Sequence, residues 1–281
     1  MILKEKHQEA IEYLARYKFL TSSLFLLLGL YKNRGDITNS LKVLVDMKRP
    51  LIKKVTMGIY PGKGKLEDIY YLTNYGKKFL MEELFYSEDK IKIPKSNSII
   101  PKKDYAHKIS MIWFNVLMSK WLQENDGSVE FLNYDFDKVG NNRSTGSSDN
   151  VTSINKISLG GVSFIPDIIT KINIDNKDFL FLFEQHNGND TKRLFKQLYP
   201  HLEALTYGVV RKQYNFEKSH RVAIVCEFES VKKSVIKRLQ ESKEFDKFHK
   251  FFIFKTNDEL KEEFFNNWTQ VDGKLVGFTS T

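Results

Sequence analysis

Two carboxylates stand among apolar, strand-forming residues. Asp167 lies in the run Val162-Ser-Phe-Ile-Pro-Asp-Ile-Ile169, and Glu184 closes on the run Phe179-Leu-Phe-Leu-Phe-Glu-Gln-His186. If the two runs pair through a turn over residues 173–177, Asp167 and Glu184 come to lie on adjacent strands. Two neighbouring carboxylates offer the hard oxygen ligands that a divalent cation such as Mg²⁺ or Mn²⁺ takes. His186, two residues beyond Glu184, is a third metal ligand or a proton acceptor in this reading. The plainer alternative is that each acid merely ends a strand at the solvent edge.

The stretch that follows adds cations. A helix expected over 191–207, bent at Pro200, carries Lys192, Arg193, Lys196 and Tyr199 near its start. A lysine ammonium there, Lys192 or Lys196, would stabilise charge developing on a phosphate. Tyr199 or Tyr207 as a covalent nucleophile is the boldest version, set against a simply packed helix tyrosine. Glu130 is a further carboxylate. His107, at the start of an amphipathic helix over 105–122, is a ligand, an acid/base or a hydrogen-bonded structural histidine.

These residues need a scaffold. Strands are expected at 129–136, 162–172, 179–183, 221–228 and 251–255, with helices at 105–122, 191–207 and 231–239 and a last one from Asp258. That order describes a mixed α/β domain over 104–281. Residues 140–150, rich in Gly, Asn and Ser, read as a loop.

The first ninety residues have a different character. Apolar spacing predicts helices over 9–17, to Leu30 from a cap at Thr21 or Ser22, and over 38–48. A strand over 51–59, a basic turn at 61–65 and a returning strand over 68–72 follow. Three helices and a hairpin describe a winged helix-turn-helix over 1–90. Between Leu41 and Lys78 stand nine basic residues (Lys42, Lys48, Arg49, Lys53, Lys54, Lys63, Lys65, Lys77, Lys78) against three acids. Cations on a recognition helix and wing are what DNA phosphates require, the alternative being an ordinary solvated face. A helix over 74–85 presents Phe79, Leu80 and Leu84 on one side, a surface suited to a homodimer. Residues 91–103, with Pro94 and Pro101 among Lys and Ser, have the composition of a linker.

Composition sets outer bounds. With 44 Lys and Arg against 35 Asp and Glu, the net charge of +9 favours a polyanionic partner, nucleic acid first and an anionic membrane surface second. The one cysteine, Cys226, excludes a disulfide framework and a cysteine zinc site, which fits a reducing cytoplasm. The longest apolar stretch, 24–30, is too short to span a bilayer, so membrane insertion and secretion are not expected.

Pro166-Asp167, then Glu184-x-His186, then a helix bearing Lys196-x-x-Tyr199 is similar to the PD-(D/E)XK nuclease-like core of restriction endonucleases. Together with Tyr70-Tyr-Leu-Thr-Asn-Tyr-Gly76, His107 and its helix, Gly188 and Thr191, the chain resembles the plasmid replication-relaxation family, related in plan to the C-class mobilisation relaxases. The resemblance implies a winged helix fused to a mixed-sheet nuclease-like domain. It further implies double-stranded origin DNA and other mobilisation or replication proteins as partners, Mg²⁺ or Mn²⁺ as cofactor, and metal-dependent nicking. The pattern calls for lysine two residues after the acid, where this chain has His186, so the lysine would come from the helix as Lys192 or Lys196. That departure keeps a second expectation open, a non-catalytic plasmid replication initiator or transcriptional regulator with a degenerate nuclease-like domain. An enzyme acting on a small phosphorylated substrate ranks last, because no phosphate-cradling glycine loop is present.

Overall fold

The computed structural model of the protein describes residues 3–62, 64–94, 100–140 and 152–280. Lys63, named above for DNA contact, lies outside the described residues, as do 95–99 of the linker segment and 141–150 of the Gly- and Asn-rich loop. The chain divides into two compact units, Met1–Val116 and Leu117–Thr281. That division falls within the helix Tyr105–Glu124, later than the 91–103 segment, in which Ile91 and Ile100 are buried.

The first unit holds α1 (Glu5–Tyr17), α2 (Ser22–Leu27), α3 (Arg34–Val45), β1 (Ile52–Val55), β2 (Ile59–Tyr60), β3 (Gly64–Lys65), β4 (Ile69–Leu72), α4 (Asn74–Glu83) and the start of α5 (Tyr105–Glu124). Helix α1 buries Ala10, Ile11, Leu14 and Tyr17, and α3 buries Ile37, Leu41 and Leu44, the three-and-four spacing of a helix with one apolar face. α3 begins four residues before the expected start at 38, because the Asn33 side chain accepts from the Asp36 N–H and caps it there. β1 and β4 pair antiparallel, with Ile52 opposite Leu72, and β2 and β3 form a smaller hairpin between them. Leu20, between α1 and α2, exchanges two backbone hydrogen bonds with Tyr70 and so adds a short third strand beside β4. The Thr73 hydroxyl caps α4 by accepting from the Gly76 N–H. Gly76 is required at that turn, since a Cβ there would overlap the Leu51 carbonyl.

The second unit carries β5 (Ser128–Tyr134), β6 (Lys138–Val139), β7 (Thr152–Ser153), β8 (Ile157–Leu159), β9 (Val162–Phe164), β10 (Ile168–Ile174), β11 (Lys177–His186), α6 (Thr191–Tyr207), α7 (Val209–Gln213), β12 (Arg221–Cys226), α8 (Glu229–Glu241), β13 (Phe252–Thr256), α9 (Asn257–Glu262), β14 (Trp268–Gln270) and β15 (Leu275–Val276). Seven strands form one mixed sheet in the order β15-β14-β13-β12-β11-β10-β5. β10 runs antiparallel to both β5 and β11, while β11, β12 and β13 are parallel, joined by crossovers through α6 and α8. The β10–β11 hairpin turns at Asp175 and Asn176, both with positive φ (51° and 56°), the turn type whose twist matches that of paired strands. One face of α6 buries Leu194, Leu198 and Leu202 against Val222, Ile224 and Val235. Ala204 joins Ile169 and Leu182 in a neighbouring cluster. Cys226 is fully buried at the end of β12.

Two expectations are corrected. Residues 162–172 are not one strand: β9 pairs with β8, and Pro166, which has no N–H to give a ladder, separates it from β10. The chain does not finish on the helix from Asp258. α9 has only six residues, and β14 and β15 then extend the sheet at its edge.

Candidate active site and nucleic-acid surface

Asp167 occupies the bend immediately before β10, and the strand ladder continues through it. The Asp135 N–H donates to the Asp167 carbonyl at 2.8 Å. Ile168 stands opposite Phe183, so one step further the antiparallel register sets Asp167 opposite Glu184 on one face of the sheet. The expected juxtaposition of the two acids is therefore present. Both residues are buried, at 8% and 9% exposure, a state that carboxylates adopt only with compensating partners.

Those partners are specific. One Asp167 oxygen accepts from the Gln185 N–H at 2.8 Å. Glu184 Oε1 lies 2.7 Å from His201 Nε2, contributed by α6. His201 has no exposed surface, packs edge-on against the Phe164 ring at 4.8 Å, and is held neutral because burial pushes its pKa down to about 3, with Asp167 opposing that shift. His220, also buried, is lowered to about 3 by desolvation and, secondarily, by His201. Asn155 steadies the bend from below: its Nδ2 donates to the carbonyls of Asn133 and Pro166, both at 3.0 Å. None of His201, His220 and Asn155 was singled out from sequence. For His201 a signal existed, since it falls in register with Leu194, Leu198 and Leu205 on the inward face of α6.

The remaining expected residues lie elsewhere. His186 follows Glu184 by two and thus shares its side of β11. It is buried. Lys192 and Lys196 are exposed. From the helical repeat they point about 180° and about 140° around α6 from His201, which turns them away from the acids. Tyr199 packs edge-on against Phe195 and Phe245, both centroids at 5.4 Å, as a packed helix tyrosine would. Tyr207 is 66% exposed at the end of α6. Glu130 pairs with Lys171 at 2.6 Å, part-way along the sheet from Asp167. His107 is half-buried in the first unit's part of α5.

Among the described residues no group of three or more His, Cys, Asp or Glu is arranged to hold a metal ion. The facing pair Asp167 and Glu184 nonetheless fits a hard cation of the Mg²⁺ type, which binds through one or two carboxylates and keeps several waters. His201 would then hold Glu184 in orientation from behind.

In the first unit, Lys42, Lys48, Arg49, Lys53, Lys54 and Lys65 are all exposed. They follow α3 into β1 and the small β2–β3 hairpin. Lys54 shares its charge with Asp68 at 3.4 Å, and Arg49 lies over the Tyr75 ring at 5.8 Å. On α3, Thr38, Asn39 and Val43 are exposed beside Lys42. No described helix is long and apolar enough to cross a membrane. No family model, curated protein or solved structure matches the chain.

Proposed function

We propose that the chain is a DNA-binding protein of a plasmid or mobile element, of the relaxase or replication-relaxation type. The first unit grips duplex origin DNA as a winged helix, and the second cuts one strand with a divalent metal held by Asp167 and Glu184. The observation that carries the first half is the order helix, short strand, helix, helix, hairpin, with the Leu20–Tyr70 bridge beside β4 and exposed cations from α3 through the hairpin. α3 would enter the major groove, and Lys53, Lys54 and Lys65 would meet phosphates beside it. Supporting the second half is the sequence α5, β5, β10, β11, α6, β12, with a carboxylate facing a carboxylate across β10 and β11.

A metal ion supplies a more acidic water and neutralises phosphate charge. Of the chain's own groups, Asp167 and Glu184 orient that ion, the Gln185 N–H and His201 fix the two carboxylates, and the exposed cations of the first unit hold the duplex.

A second reading, a non-catalytic initiator or regulator, is favoured by the direction of Lys192 and Lys196, which leaves those two ammonium groups away from the acids. Two experiments separate the readings. Lys48→Ala with Arg49→Ala should lower origin-duplex affinity roughly tenfold or more and flatten its salt dependence, measured by fluorescence anisotropy. Supercoiled origin plasmid with Mg²⁺ or Mn²⁺ should be nicked by the wild type and not by Asp167→Ala. Equal products from both proteins, or none from either, would leave the initiator reading.

A further inference from the structure

The far end of β11 has the opposite chemistry. A cavity of about 330 Å³ opens there, lined by Phe179, Phe216, Lys218, Arg221, Lys250 and Phe251 among others. Its volume lies in the range of small-ligand sites. Phe179 and Glu184 are five residues apart on one strand, so this cavity sits on the order of 15 Å or more from the acids and is a separate place.

Its charge is uncompensated. Arg221 is 91% buried by side-chain and backbone packing, being only 9% exposed, yet among the described residues its one hydrogen-bond partner is the Phe278 carbonyl, at 3.1 Å. A guanidinium has five N–H donors, so the rest are left for water or for something in the cavity. Burying such a cation without an acid is unfavourable unless an anion arrives. Two exposed lysines, Lys218 and Lys250, line the same space. The one acid in the lining, Asp178, is already engaged by Lys171 at 3.0 Å and Asn173 at 2.6 Å, with Lys218 acting on it only at longer range. Phe216 and Phe251 are partly buried aromatic rings in the wall.

Three cations beside aromatic rings match a molecule with a dianionic head and a flat aromatic body. We propose that this cavity binds a nucleoside monophosphate unit, its phosphate on Arg221, Lys218 and Lys250 and its base against Phe216 and Phe251. The bidentate geometry of arginine suits phosphate oxygens, and rings of this kind take a base by stacking whatever its sequence. The proposal uses none of the residues of the acid pair and stands whether or not the protein nicks DNA. The same unit exists as a free nucleotide and as the phosphorylated end of a strand, and both present the same chemistry to the cavity.

Isothermal titration of the full-length protein with AMP, GMP, CMP and UMP tests it. At least one should bind with Kd of about 0.5 mM or tighter, while the matching nucleoside and inorganic phosphate alone bind at least roughly tenfold more weakly. Lys218→Glu with Lys250→Glu, both at exposed positions and checked for folding by circular dichroism, should weaken the nucleotide at least roughly tenfold, and Phe216→Ala should weaken it further than it weakens phosphate. Binding of no nucleotide at that level, equal binding of phosphate alone, or a smaller loss in the folded double variant would overturn the assignment. Competition with a short single strand, with and without a 5′-phosphate, identifies the source. Displacement only by the phosphorylated strand assigns a strand end, and displacement by neither assigns the free nucleotide.

Discussion

The two ends of β11 solve opposite problems. At the Glu184 end, negative groups face each other and the surroundings are sealed: His201 is fully buried, and each carboxylate has a defined partner. At the Phe179 end, positive groups surround an open cavity, and among the described residues Arg221 has only a carbonyl as hydrogen-bond partner. One strand thus carries a compensated acidic end that contributes to holding the fold and an uncompensated basic end that adds little to it. A polar group whose partners are already supplied by the protein is expensive to disturb, whereas one whose partners are missing is held in reserve for a ligand.

Acid should break the comparison most strongly. His201 and His220 are neutral in the fold, with pKa values near 3, but take up protons at about 6.5 once unfolded. Their folded values are depressed, so the unfolded state binds more protons as pH falls from about 6.5 toward about 3, and stability is lost through that window. The slope is at most about 1.4 kcal/mol per pH unit for each histidine. Urea denaturation of the second unit's transition across this range should show the loss, and His220→Leu should roughly halve it; a flat profile would show that these histidines are protonated in the fold.

Substitution at the two ends should then differ in size. His201→Ala leaves the Glu184 carboxylate without its 2.7 Å partner and opens space beside Phe164, and is expected to cost about 2–4 kcal/mol. Arg221→Met, by contrast, removes a buried cation that lacks an acid and should change stability by less than about 1 kcal/mol in either direction. Equal losses in the two variants, by equilibrium denaturation, would erase the distinction. The smallest effect is expected at the rim of the cavity, beside Asp178. Lys171→Met breaks ion pairs to Glu130 (2.6 Å) and Asp178 (3.0 Å) that are partly exposed, for about 1 kcal/mol or less. The same change raises the Asp178 carboxylate, now held low by Asn173 and Lys171, which a pH titration by NMR can follow.

Much of this arrangement was legible from residue order. The alternating apolar runs and the Asp175-Asn176 turn were enough to pair β10 with β11 and to bring Asp167 across from Glu184. The inward Leu194 and Leu198 also determine which way Lys192 and Lys196 point, so periodicity rather than composition sets the direction of those lysines. Other features were beyond such reading. Pro166 inside a long apolar run hides a break, because the residues on either side keep strand-like composition while joining different partners. Asn155 acts through contacts 11 and 22 residues away in sequence, and Arg221 meets its carbonyl 57 residues on, which no local pattern records. β14 and β15, of three and two residues, are too short to carry a period of two.

Cys226 gives the molecule an internal clock. It is the one cysteine of the chain, it is fully buried in the centre of the sheet, and burial pushes its thiol up to about 12. A thiol reagent such as a nitrobenzoate disulfide reacts with the thiolate, so the folded protein should be nearly inert and each reaction should mark one opening of β12 from its neighbours. The rate of labelling then reads the opening of the strand that pairs with β11 from Phe181 to His186.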